Sequence, residues 1–280
     1  MGRFFFVFVC VGLAGKVQAE EPRRIVSMNL CADQIVLRLA EVGTIVSVSF
    51  LTADPEESPV ADLARGLILN TGQVEEIVSL KPDLVVAGRH TTGAAKILLK
   101  RLGYRVVEVD IPLTFEEMYK TYRALGKVLG RSDEAESFLA GLSNRLEALE
   151  KRVSRRRFGT VLILDANGFA VGRPSLVDQV LSRIGLVNIA THLNISDFGR
   201  VTMDDIIISQ PDHLVRIAYR TDVPSLANLM LSHPALAKYF REKAIISVAR
   251  SWLHCGGSSL VLAAEKVLSE IEQQDYDEPL

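Results

Sequence analysis

From Arg24 onward the chain alternates two hydrophobic patterns. Short runs rich in Val and Ile alternate with longer stretches in which apolar residues recur every three or four positions. In the first half the short runs predict strands at Ile25–Met28, Thr44–Phe50, Leu84–Ala87 and Arg105–Val109. Helices are predicted between them near Ala32–Glu41, Val74–Leu80 and Ala94–Leu102, the last ended by Gly103. Thr114-Phe115-Glu116-Glu117 reads as a capping box opening a helix that runs to Gly130. Ser132 then reads as the cap of a second helix, with Asp133 and Glu134 in favourable sense against its dipole. Ala135, Phe138, Leu139, Leu142, Leu146, Leu149 and Val153 keep one apolar stripe along it. After Phe158 the alternation restarts, with strands at Val161–Asp165, Leu214–Ala218 and Ile245–Val248. Helices are predicted there at Leu176–Ile184, Met203–Ser209 and Ser258–Glu272, before a polar tail from Gln273. Strand–helix alternation of this kind implies parallel sheets with helices on their faces.

The two halves echo each other. Glu75-Glu76-Ile77 with Pro82-Asp83-Leu84 returns as Asp204-Asp205-Ile206 with Pro211-Asp212-His213. Asp33-Gln34-Ile35 returns as Asp178-Gln179-Val180, in the same order along each half. The expectation is an α/β chain of two αβ lobes, residues 22–131 and 158–280, joined by one long helix within 132–157. The basic run at the end of that helix, Lys151 to Arg157, fits a solvated C-terminus facing the helix dipole.

The first residues read as an address. A lone early Arg3, a short apolar run from Phe4 to Gly15 and the small residues Val17 and Ala19 form a secretory leader cleaved after Ala19. The run is too short to span a bilayer comfortably. Cys10 within it lacks the small residues that precede a lipidated cysteine, so a free, unlipidated periplasmic protein is expected. The chain has 32 basic and 34 acidic residues, and the leader removes Arg3 and Lys16. A mildly acidic chain without a basic block argues against nucleic acid as a partner. Cys31 and Cys255 remain, and an oxidising compartment permits one bond between them. There is no Gly-x-Ser-x-Gly elbow, no phosphate loop with Lys and no paired carboxylate signature, so an enzyme is the minor reading.

Several motifs together resemble a known family: RIVSMNLCADQIVLRLA (24–40), VEEIVSLKPDLVVAG (74–88), LGYRVVEVD (102–110) followed by TFEEMY, LGRSDEAE (129–136) and SHPAL (232–236). They resemble the helix-linked, class III periplasmic binding proteins of ABC importers, which serve ferric siderophores, haem and cobalamin. The resemblance implies a ligand held between two lobes, an inner-membrane ABC permease as partner, a monomer, and no resident cofactor. It also implies docking through an acidic residue on each lobe. Asp204 matches that position in the second lobe, whereas Thr92-Gly93-Ala94-Ala95 in the first has no acid, leaving Glu56 and Glu57 as substitutes.

In open αβ sheets ligands sit outside the carboxyl ends of the strands. That rule and the resemblance select Asn29, Leu30 and Cys31, then Phe50 and Leu51, then Arg89 and His90 in the first lobe. The second lobe contributes Asn167, Phe169, Arg173, Phe198, Tyr219, Arg220, Trp252, His254 and Cys255. Arg89 and Arg173 would clamp an anionic iron chelate. Trp252, Phe50, Phe169 and Phe198 suit the face of a corrinoid or haem equally well. A bare zinc or manganese ion held by His90, His192 and His254 is the remaining alternative. Cys31 and Cys255 are read as bonded across the cleft, as two buried thiols, or as ligand contacts.

Overall fold

The computed structural model describes residues 21–277 apart from 90, 92, 155, 219–232, 235, 237–239, 241–244 and 256. The expected leader, residues 1–19 with Cys10, lies outside them.

The first half forms β1 (Ile25–Ser27), α1 (Leu30–Leu39), β2 (Ile45–Ser49), β3 (Ile68–Asn70), α2 (Val74–Ser79), β4 (Leu84–Gly88), α3 (Gly93–Arg101) and β5 (Val106–Val109). Its strands pair in the order β3-β2-β1-β4-β5, every pair parallel. Parallel strands covered on both faces need apolar side chains on both. The interior strand β4 is accordingly buried along its whole length. The chain reverses at each strand end, so the carboxyl ends of β1, β2, β4 and β5 share one edge.

Two antiparallel helices follow, α4 (Phe115–Leu129) and α5 (Ser132–Val153). Thr114 caps α4, accepting from the Glu117 backbone N–H, while the Glu117 carboxylate accepts from Leu113 N–H. Gly130 ends it at φ 72°, a left-handed conformation that glycine adopts without steric cost. The turn is so tight that Arg131, not Ser132, occupies the cap of α5, and its backbone N–H returns to Gly126. α5 has 22 residues, about 33 Å of rigid helix. Ala135, Leu139, Leu142, Leu146, Leu149 and Val153 are all buried along it. Phe138, in the same stripe, is half-buried and stacks on Tyr122 of α4 at 5.1 Å between ring centroids.

The second half forms β6 (Thr160–Leu164), β7 (Phe169–Val171), α6 (Leu176–Arg183), β8 (Val187–Asn188), β9 (Phe198–Arg200) and α7 (Met203–Ser209). It continues with β10 (His213–Ala218), β11 (Ile245–Ala249), α8 (Arg250–Leu253) and α9 (Leu260–Asp277). The sheet order is β11-β10-β6-β7-β9, with β8 beside the start of β6. β11, β10, β6 and β8 run parallel, while β7 and β9 are antiparallel additions at one edge. The two sheets are separate, yet their cores are not. Ile25, Leu84 and Val86 of the first join Val161, Val215 and Val248 of the second in one buried cluster, through α4, α5, α6 and α9. Among the described residues no helix is long and apolar enough to cross a membrane.

Candidate functional site

A cavity of about 350 Å³ opens where the carboxyl ends of the two sheets face each other. The first lobe gives it Ile111, Pro112 and Leu113, the segment leaving β5. The second gives Asp165 after β6, Val171 at the end of β7, Ser175–Val177 at the start of α6, and Asp197 and Phe198 entering β9. Ile217 of β10, Arg250, Leu253 and His254 close it. Its walls are mostly apolar, with a few polar groups at fixed points, the composition expected of a small-molecule site. Phe198 is 53% exposed and stacks on Phe169, with ring centroids 4.8 Å apart and planes within 6°. Phe198 faces the cavity as a flat aromatic shelf backed by Phe169, and Arg200 lies over the Phe169 ring.

Helix α8 decides which residues behind β11 reach the cavity. Arg250, Leu253 and His254 fall three and four residues apart, on one helical face, and that face lines the cavity. Trp252 points elsewhere. It packs half-buried against the main core, and its carbonyl accepts from Ser259 Oγ at 3.1 Å. The expected ligand platform is therefore a core residue, because the strand end is followed by a helical turn and not by an extended loop.

The lobes are tied directly beside this helix. Cys31, at the start of α1, is bonded to Cys255, with Cα atoms 5.3 Å apart across 224 residues of sequence. Of the three alternatives for these cysteines the structure takes the disulfide, so neither is a thiol offered to a ligand. Glu57, carried inward by a turn in which Asp54 O accepts from its backbone N–H, reaches the second lobe. Its Oε2 lies 3.0 Å from His254 Nδ1 and 3.7 Å from Arg250 Nε, with its side chain 9% exposed. No donor among the described residues is aligned on Oε2 well enough for a hydrogen bond, so the two contacts rest on distance. Further ties are Tyr122 Oη to Ser258 Oγ at 3.3 Å and Phe115 N–H to the Gln179 side-chain oxygen at 3.1 Å.

Other expected site residues fall in different places. Asn29 caps α1, its Oδ1 accepting from Cys31 and Ala32 N–H, and is committed to the backbone. Gly88 lets that side chain sit where it does, since a Cβ there would meet it at 2.7 Å. Leu30 is buried in the first turn of α1 and offers no surface to a ligand. Phe50 is exposed at the end of β2 but outside the cavity wall. Arg89 pairs with Asp110 and lines a neighbouring groove along α4, while Arg173 Nε meets Asp178 Oδ2 at 2.8 Å and faces an outer hollow beside α6. The two arginines do not converge as a clamp, because each strand-end loop turns its arginine back onto a carboxylate of its own lobe. His192 lies in that outer hollow and His254 in the cavity, so they do not assemble a bare-ion site, and among the described residues no group of three potential ligands does. His90, Tyr219, Arg220 and the side chain of Asn167 lie outside the described residues. Asp204 is exposed in the first turn of α7, away from the cavity. Glu56 is exposed, but Glu57 is turned inward and is not presented for docking.

The strand-end rule, applied to β5, reaches Ile111–Leu113, which the sequence reading passed over. Arg250 stands at the end of a predicted strand in the same way. Glu57 carries no local signal, because its partners Arg250 and His254 are nearly two hundred residues away and meet it only through the fold.

Buried Asp33 positions the loop after β2. It accepts from Ser49 N–H at 2.8 Å and from Thr52 Oγ1 at 2.5 Å, fixing the turn that carries Phe50. Burial pushes its carboxyl up to about 6, against a smaller lowering by these hydrogen bonds. Outside the cavity, Lys100 and Lys96 hold the Glu108 carboxyl down at about 2.

The sequence pattern of the periplasmic binding protein family matches residues 25–238. An uncharacterised ABC transporter substrate-binding lipoprotein of Bacillus subtilis is 26% identical over 207 residues, 70% of this chain and 64% of that protein. A cobalamin-binding protein of Halobacterium salinarum is 26% identical over 203 residues, 70% of this chain and 54% of that protein. The chain thus spans less than two thirds of these two relatives. The vitamin B12-binding protein of Photorhabdus laumondii is 22% identical over 259 residues, 89% of this chain and 88% of that protein. Among solved structures, a periplasmic haem-binding protein of Roseiflexus sp. RS-1 superposes with a TM-score of 0.75 at 21% identity, covering 89% of this chain and 97% of that one. The vitamin B12-binding protein of Vibrio cholerae gives 0.67 at 19%, covering 91% and 98%. Two αβ lobes backed by one long helix, with a cavity between their carboxyl edges, agree with that match over most of the chain: it belongs to the periplasmic binding protein family, with the helix-linked fold of class III.

Proposed function

We propose that this protein is the substrate-binding component of an ABC importer, capturing a ferric siderophore or a cobalamin-like ligand and delivering it to an inner-membrane permease. The observation that carries the reading is the cavity shared by both lobes, with the ring of Phe198, backed by Phe169, on one side and Ile111–Leu113 on the other. Such a shelf suits a bulky, flat-faced ligand, and relatives named for cobalamin and vitamin B12 support the corrinoid half of the proposal. The aromatic shelf also favours haem as a second reading, in line with the haem-binding neighbour. The leader implies release as a free periplasmic protein, and Asp204 is the proposed contact with the permease from the second lobe. The protein acts as a monomer and needs no cofactor or catalysis for this role.

The test is a titration of the purified mature protein with ferric siderophores, cyanocobalamin and haemin, followed by visible absorption and intrinsic fluorescence. Saturable binding of one class at micromolar affinity or better is expected, at roughly −8 kcal/mol. Failure of all three classes would remove the reading.

A further inference from the structure

The charges around the cavity narrow the ligand, on the reading that this cavity is the binding site. Arg250 and His254 are the basic side chains lining it among the described residues, and both face Glu57 from the opposite lobe. Asp165 and Asp197 line the same cavity. The arginines at neighbouring strand ends, Arg89 and Arg173, are each engaged by a carboxylate of their own lobe. A carboxylate as buried as Glu57 is costly without cations beside it. It therefore holds Arg250 and His254, and a second anion entering the cavity would have to compete with it. The competition is uneven. The adjacent Cys31–Cys255 bond pins α8 to the first lobe, so Glu57 cannot be left behind by a small separation of the lobes.

We propose that Glu57 is a specificity-determining residue: it takes up Arg250 and His254, the basic side chains of the cavity, from across the lobes, so that the site accepts an uncharged metal complex with an amide- or hydroxyl-bearing rim and disfavours a polyanionic one. The device works by making the wrong ligand pay a like-charge penalty, with no new attraction to the right one. Corrinamides and ferric trihydroxamates belong to the accepted class, and ferric tris-catecholates to the rejected one.

The test compares wild type with Glu57→Gln, disulfide intact, in calorimetric titrations with cyanocobalamin, a neutral ferric trihydroxamate and a ferric tris-catecholate. Wild type should bind at least one neutral complex and prefer it to the tris-catecholate. Glu57→Gln should shift that preference toward the tris-catecholate by about tenfold or more, and the gain should shrink with added salt. If the glutamine variant does not fold, Arg250→Gln replaces it, and should move the preference further toward the neutral complex by at least about threefold. Wild type that binds none of the three complexes sinks the ligand reading and this inference with it. Wild type that binds the tris-catecholate as tightly as the neutral complexes, or a folded variant with an unchanged preference, overturns the charge assignment alone.

Discussion

Two residues apart at the end of α8, Trp252 within it and His254 at its cap have opposite fates. Phe198 and His254 look into the cavity, whereas Trp252 is packed against the core. Phe198→Ala should thus weaken ligand binding by about 1–3 kcal/mol, the range of an aromatic anchor, with thermal stability nearly unchanged because the ring is half exposed. Trp252→Ala should do the reverse, costing about 3 kcal/mol of stability and leaving affinity as it was. Calorimetry paired with urea unfolding of both variants separates the outcomes, and a Trp252→Ala protein that is stable but binds poorly would contradict the packing described here. Asp33 gives a pH signature. Its carboxyl titrates at about 6 in the fold against a reference value of 3.8. Between those values the folded chain holds more protons than the unfolded one, so this group makes stability fall as pH rises through the window, by about 2–3 kcal/mol in all, and contributes no further slope above it. Asp33→Asn should flatten that part of the profile. The check is unfolding free energy at several pH values from 4 to 7, and a slope equal to that of wild type would refute it.

Among the elements, the long helix was the most legible in sequence. An unbroken stripe from Ala135 to Val153 admits one face and one length, and both appear in the fold. Its ends were less legible: the turn between α4 and α5 depends on Gly130 and on a backbone bond to Gly126, and it shifts the cap by one residue. The strands β3, β7, β8 and β9, of two or three residues each, went unread because so short a segment cannot display a period. The antiparallel pair β7–β9 was lost with them, although it builds the aromatic shelf. Leu146→Ala on α5 should cost about 2–5 kcal/mol, since it opens a hole where the helix seals the core common to both lobes. A chemical denaturation curve that keeps one transition and moves to lower denaturant is the expected form. Two separated transitions would mean that the lobes unfold independently, against the continuity of that core.

At the scale of the molecule, repetition of the αβ pattern on either side of one helix was enough to give two lobes and the edge at which their strands end. It could not give the cross-lobe chemistry, because Cys31–Cys255 and Glu57–His254 are meetings of distant segments that no local pattern encodes. Those meetings, with α5 behind them, leave little freedom for the lobes to swing. Small-angle scattering should therefore show nearly the same radius of gyration with and without ligand, and a contraction typical of hinged closure would contradict the ties. The disulfide also has a topological consequence. It joins the first helix to the segment before the last and thereby makes most of the chain a closed loop, with α5 running along one side. A single protease cut in the loop between α5 and β6 would open the backbone without releasing either half. Such a nicked protein should migrate as one band without reductant and as two with it, and should keep its cavity until the sulfurs are parted.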